Sequence, residues 1–203
     1  MIDRRQFSTA LASTALAAFV PRARAFAAQL GEDGLHIQPF FMQTFLDMSE
    51  DKAEAETAGK HFAVIFEQRG CPYCREMHEV NFARPEIADY VASNFGIVQL
   101  NMWGSREVTD FDGEVLPEKE LARKYGVAFT PTVQFFPDDP AAVEGKAGKE
   151  AEVARMPGYF EPPYFMAIFR FVREKAYEQS DFLTYARKAL QQSQNAPSAA
   201  DQG

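Results

Sequence analysis

The stretch HFAVIF (61–66) constrains the fold more than any other. A short continuous apolar run of this kind marks a strand covered on both faces. Such a strand has to lie in a sheet with a layer packed on each side. The chain's only two cysteines, Cys71 and Cys74, follow at once in RGCPYCREMH (69–78), and PYCREMHEVNFA has helical character. GIVQLNMW (96–103) reads as a second buried strand. FTPTVQFFPDD reads as a third, opening at Pro131, because proline can begin a strand but cannot sit inside a central one.

The remaining segments supply the layers. After a short leader with Gly31 and Gly34, PFFMQTFLDMSEDKAEAETAGK reads as a helix with Phe41, Phe45 and Met48 on one face. RPEIADYVASNF starts another, with Pro85 in its first turn. GSREVTDFDGEVLP reads as a polar loop turning at Asp112-Gly113, and EKELARKYGV as a short helix ending at Gly126. EAEVARMPG is expected to pair with the third strand as a hairpin. EPPYFMAIFRFVREKAYEQS is strongly amphipathic, with Phe165, Ile168, Phe169 and Val172 on one face, and DFLTYARKAL is a last helix. This order predicts an α/β fold with a mixed central sheet and helices on both faces. The 203 residues, 46% apolar with 19 Phe, suffice for one domain with a sizeable core. A net charge of −8 argues against nucleic acid as a partner.

Residues 1–27 read as a signal peptide, 28–190 as the folded domain and 191–203, rich in Gln, Ser and Ala, as a mobile tail. Arg4 and Arg5 precede a 14-residue apolar run, FSTALASTALAAFV, shorter than the roughly 20 residues that span a bilayer. Small residues then allow cleavage after Ala25 or Ala27. The arginine pair with Phe7 is similar to a twin-arginine signal, with Asp3 and Ser8 departing from that pattern, and Sec export stays open. The expected location is the bacterial periplasm, where disulfides persist.

Three readings of the cysteine pair compete. A structural zinc needs four ligands; His78 lies four residues after Cys74 on the same helix face, but His36 and His61 have no ligand spacing. A purely structural bridge this short closes too small a loop to stabilise much. A redox pair suits the position. The first cysteine of a C-x-x-C at a helix start meets unpaired backbone N–H groups and the positive helix end, which favour a thiolate. Cys71, expected to be the more exposed, is therefore the candidate nucleophile and Cys74 the resolving thiol. Pro72 is pre-set for the first helical turn. His78 reads as a surface or packing residue unless it turns toward the sulfurs. A cis bond at Thr130-Pro131, found in about 5% of X–Pro bonds generally, would place the Thr130 backbone beside the sulfurs, ready to pair with an extended peptide.

Taken together, HFAVIFEQRGCPYC, GIVQLNMW and LARKYGVAFTPTVQFF resemble the thioredoxin superfamily over about residues 40 to 178. Within it, the export signal, GCPYCREMHEVNFARPEI, LNMWG with REVTDFDGE, and GYFEPPYF are similar to the periplasmic thioredoxins of bacterial sulfur-oxidation (Sox) operons, the SoxW type. The resemblance implies a thioredoxin fold and a cis bond at Pro131. It departs in the motif, where Gly70 precedes Cys71 and the dipeptide is Pro72-Tyr73. It departs also in the core, where Ile65 aligns with the thioredoxin family's buried acid and Gln99 with its lysine partner. Glu67 is then a candidate proton acceptor for Cys74, against its reading as a solvated carboxylate at a strand end.

The resemblance implies a thiol-disulfide oxidoreductase that reduces client disulfides and needs no cofactor beyond the Cys71–Cys74 disulfide. It suggests recharging by a membrane thiol transporter of the CcdA/DsbD kind and a cysteine-bearing Sox sulfur-carrier protein as client. A DsbA-like oxidase, a disulfide isomerase and a non-catalytic peptide-binding module are the competing readings.

Overall fold

The computed structural model describes residues 29–195. The expected signal peptide, 1–27, and the end of the expected tail, 196–203, lie outside the described residues. A short hairpin of two-residue strands, β1 (Gln29–Leu30) with β2 (His36–Ile37), leads into α1 (Met48–Thr57). The central strand β3 (His61–Glu67) is followed by α2 (Pro72–Glu76), whose axis continues through a π turn (Met77–Asn81), and by α3 (Pro85–Asn94). Then come β4 (Phe95–Asn101), the small hairpin β5 (Glu107–Thr109) and β6 (Val115–Pro117), and α4 (Glu118–Lys124). β7 (Thr132–Phe135), α5 (Gly148–Ala151) and β8 (Ala154–Pro157) lead to α6 (Pro162–Arg173) and α7 (Phe182–Asn195).

The main sheet has the order β4-β3-β7-β8, with β3 parallel to β4 and the other two pairings antiparallel. β3 is therefore hydrogen-bonded on both edges, and all seven of its residues are buried, as its apolar run requires. Alternation sends Phe62, Val64 and Phe66 into one core with Met48, Leu121, Tyr125 and Phe136. Ala63 and Ile65 enter the other with Met77, Ile87, Phe165, Ile168 and Phe169. Helices α1 and α4 thus cover one face, and α2, α3 and α6 the other. Each fully buried phenylalanine contributes about 1.5–3 kcal/mol through the apolar area it removes from water. The mixed sheet with helices on both faces is as expected.

Four local expectations are corrected. The first helix begins at Met48 rather than near Pro39. Asp47 caps it by accepting from the Ser49 and Glu50 backbone N–H groups, both at 3.0 Å, and Leu46 just before has a positive φ of 64°. Phe41 accordingly joins the α3–α6 core while Phe45 is fully exposed. The supposed polar loop 104–117 folds back on itself as β5–β6, with the turn at Asp112-Gly113 as read. The N-terminal leader is the β1–β2 hairpin. Residues 191–195 continue α7, because nothing in ALQQSQN breaks the helix that starts at Phe182.

Candidate functional site

β3 carries the chain to a tight turn, Gln68–Gly70, in which the Cys71 N–H donates to the Gln68 carbonyl at 3.3 Å. Gly70 sits at φ 73°, and a Cβ placed there would touch nothing within 4 Å. Backbone conformation, not space, is what requires glycine. Cys71 is the N-cap of α2 and Pro72 its first residue, which suits a position where no backbone donor is needed.

Cys71 and Cys74 form a disulfide with Cα atoms 5.2 Å apart. The Cys74 N–H points at Cys71 Sγ (3.0 Å), and the Thr130 hydroxyl donates to the same sulfur (3.3 Å). The Thr130 carbonyl lies 3.5 Å from Cys71 Sγ, and the Thr130–Pro131 peptide bond is cis. Thr130 precedes the paired part of β7, whose ladder with β3 and β8 begins at Thr132. Both cysteines are buried, Cys71 at 5% exposure and Cys74 at 1%, so the expected difference in exposure is small in this oxidised state.

The solvated reading of Glu67 and the surface reading of His78 are corrected. Neither is at the surface, since both side chains are wholly buried. They face each other because Glu67 alternates onto the α2 side of the sheet and His78 lies in the π turn, four residues beyond Cys74. Glu67 Oε1 and His78 Nε2 are 2.8 Å apart, and the Gln38 amide Nε2 is 3.0 Å from His78 Nδ1. With Gln38 donating to Nδ1, the ring proton sits on Nε2 and is donated to the Glu67 carboxylate. Glu67 Oε2 and Gln38 Oε1 are buried and have no hydrogen-bond partner among the described residues. A buried acceptor left open in this way costs about 1–3 kcal/mol. The His36 ring stacks on His78 at 5.3 Å between centroids. Burial, and after it the neighbouring His78, hold the His36 imidazole below its ordinary range. Gln38 and His36 escape sequence reasoning, because isolated polar residues in an N-terminal leader carry no periodic signal. The spacing of His78 from Cys74 was the one available clue.

Aromatic side chains stand around the disulfide. Tyr73 is 58% exposed and stacks on Tyr159 at 6.5 Å, Phe129 precedes Thr130 and is 54% exposed, and Trp103 is 63% exposed. Trp103 Nε1 donates to Gln68 Oε1 at 2.6 Å, tying the loop after β4 to the turn before Cys71. Among the described residues no group of three or more His, Cys, Asp or Glu side chains is arranged to hold a metal ion.

A mixed four-stranded sheet, a disulfide at a helix N-terminus beside it and a Thr-Pro strand opening against the sulfur define a thioredoxin-like protein. The chain belongs to the thioredoxin-like domain family, whose model matches residues 48–173. Among solved structures it is similar to a thioredoxin-fold protein from Helicobacter pylori, 19% identical over 70% of this chain and 98% of that one, with a TM-score of 0.51. A thioredoxin from Thermus thermophilus is 25% identical over 61% of this chain and 81% of its own, TM-score 0.46. The DsbH oxidoreductase is 16% identical over 74% and 96%, TM-score 0.40. No curated protein sequence matches this chain.

Proposed function

We propose that this protein is a periplasmic thiol-disulfide oxidoreductase of the SoxW type that reduces client disulfides. The observation that carries the reading is the Cys71–Cys74 disulfide at the α2 N-terminus, with two donors, the Cys74 N–H and the Thr130 hydroxyl, aimed at Cys71 Sγ. After reduction these donors favour a thiolate on Cys71 over one on Cys74. That thiolate attacks a client disulfide, forming a Cys71–client bond and releasing the client's other sulfur as a thiolate, which takes a proton from water. Cys74 then loses its proton to Glu67 and attacks Cys71 Sγ. The Cys71–Cys74 bond forms, the Cys71–client bond breaks with its electron pair on the client sulfur, and the client leaves reduced by two electrons. Tyr73, Pro72 and the unladdered Thr130–Pro131 segment form the edge on which the client lies. A CcdA/DsbD-like membrane thiol transporter returns the disulfide to the dithiol, and a sulfur-carrier protein of a sulfur-oxidation system is the client. The twin-arginine-like N-terminal sequence and the motif GCPYC support this placement.

Cys74→Ser tests the mechanism. The variant, expressed in a sulfur-oxidising host, is expected to accumulate a mixed disulfide through Cys71. Normal alkylation of Cys71 with no trapped partner would contradict it.

A further inference from the structure

The segment Gln29–Phe41 lies ahead of the matched family region and contributes nothing to the C-x-x-C motif, yet it is fastened to the redox centre at several points. Arg69 Nε donates to the Asp33 carbonyl (3.0 Å), and Gly34 packs so closely on Arg69 that a Cβ would lie 2.6 Å from Nε. Gln99 Nε2 donates to the His36 carbonyl at 2.5 Å. Phe41 and Phe82 meet His78 edge-to-face at 5.8 and 5.4 Å and each other at 6.0 Å. The result is a buried chamber in which Gln38, 3% exposed, holds one nitrogen of His78 and Glu67 the other.

We propose that Gln38 is a positioning residue for the redox reaction: by donating to His78 Nδ1 it keeps the ring proton on Nε2 and aimed at Glu67 Oε1, leaving Glu67 Oε2 as the open acceptor for the proton of Cys74. This deepens, and rests on, the thiol-disulfide reading above. Cys74 lies in α2 and His78, four residues on, in the π turn that continues it. In the resolving step the Cys74 S–H bond breaks, its proton passes to Glu67 Oε2 and its electron pair becomes the Cys74–Cys71 bond. The pair of the broken Cys71–client bond leaves on the client sulfur. The proton leaves Glu67 in the next cycle, when Cys74 is again made a thiol. Reversing the His78 tautomer would set a bare Nε2 lone pair against the Glu67 carboxylate. Glu67 would then lose the donor that orients its carboxylate and leaves Oε2 open toward Cys74. The ionisable groups facing this chamber are Glu67 from β3, His36 from β2, and Arg75 and Glu79 from α2 and its π turn. Arg75 and Glu79 lie 3.8 Å apart, are more than half exposed and largely offset each other.

Two measurements on the full chain test this. Nitrogen NMR of the oxidised protein is expected to show His78 protonated on Nε2 and bare on Nδ1. A proton on Nδ1 with a bare Nε2 would overturn the proposal. Stopped-flow release of thiol from a preformed Cys71–client mixed disulfide is the second readout, taken from about pH 5 to about pH 9. Gln38→Leu is expected to slow release about tenfold at mildly acidic pH and to displace the acid limb of the profile, with Cys71 alkylation unchanged. An unmoved limb overturns the proposal. If Gln38→Leu does not fold, Gln38→Glu keeps a polar group there. Its carboxylate accepts from Nδ1, and the expected signature is His78 protonated on both nitrogens with a displaced limb. A wild-type limb in that variant also overturns the proposal. Failure of the Cys74→Ser trap would instead remove the redox reading, and the NMR result would stand apart from it.

Discussion

At the scale of single residues, the reactive sulfur is defined by one donor from its own helix and one from far along the chain. Cys74 N–H is three residues from Cys71 and Thr130 Oγ1 is 59 residues away. Thr130→Val keeps the shape and removes one donor. It is expected to lower the rate of Cys71 alkylation by iodoacetamide at neutral pH several-fold, by about 0.5–1.5 kcal/mol of lost thiolate stabilisation. An unchanged rate would mean that the hydroxyl does not act on the sulfur. Gly70→Ala puts a side chain at φ 73° and is expected to destabilise the oxidised protein by about 1 kcal/mol in chemical denaturation. Cys71, Cys74 and Thr130–Pro131 were legible because their chemistry depends on local position: a helix start, a strand start. The Glu67–His78–Gln38 set was not, because its members are joined by side-chain contacts across 11 and 40 residues, and a buried carboxylate looks in sequence like an exposed one.

At the scale of elements, helices with a strong apolar face were readable and helix starts were not. Phe165, Ile168, Phe169 and Val172 of α6 are all buried as the periodicity required. The start of α1 was misplaced because an apolar run, PFFMQTF, continued the helical pattern upstream, whereas Asp47 and the turn at Thr44–Leu46 decide where the backbone enters it. α1 also carries a liability. Burial pushes the Asp51 carboxyl up to about 6, from 3.8 for the free group, partly offset by the Thr44 hydroxyl that donates to it. Between those two values the folded state holds more protons than the unfolded one, so stability falls as pH rises through the window. The whole penalty is present at neutral pH. Asp51→Asn is therefore expected to raise the unfolding free energy by about 1–2 kcal/mol at pH 7 and to leave it unchanged below about pH 4. Equal effects at both pH values would contradict the assignment.

At the scale of the whole molecule, the layered architecture followed from one buried strand. An all-buried β3 needs a cover on each face, and the helices on either side of it in the sequence supply both. What the sequence concealed is the role of the segment ahead of the family domain, which reads as a leader and instead closes the chamber behind the C-x-x-C helix. The chain as a whole is a thioredoxin-like domain whose N-terminal segment packs on the π turn that continues the C-x-x-C helix. The most direct test of the claim that Cys71 and Cys74 act as a reductant is their equilibrium potential against a reference redox couple. A value near −270 mV, about that of thioredoxin, is expected; a value near −120 mV, about that of a DsbA-type oxidant, would contradict the account.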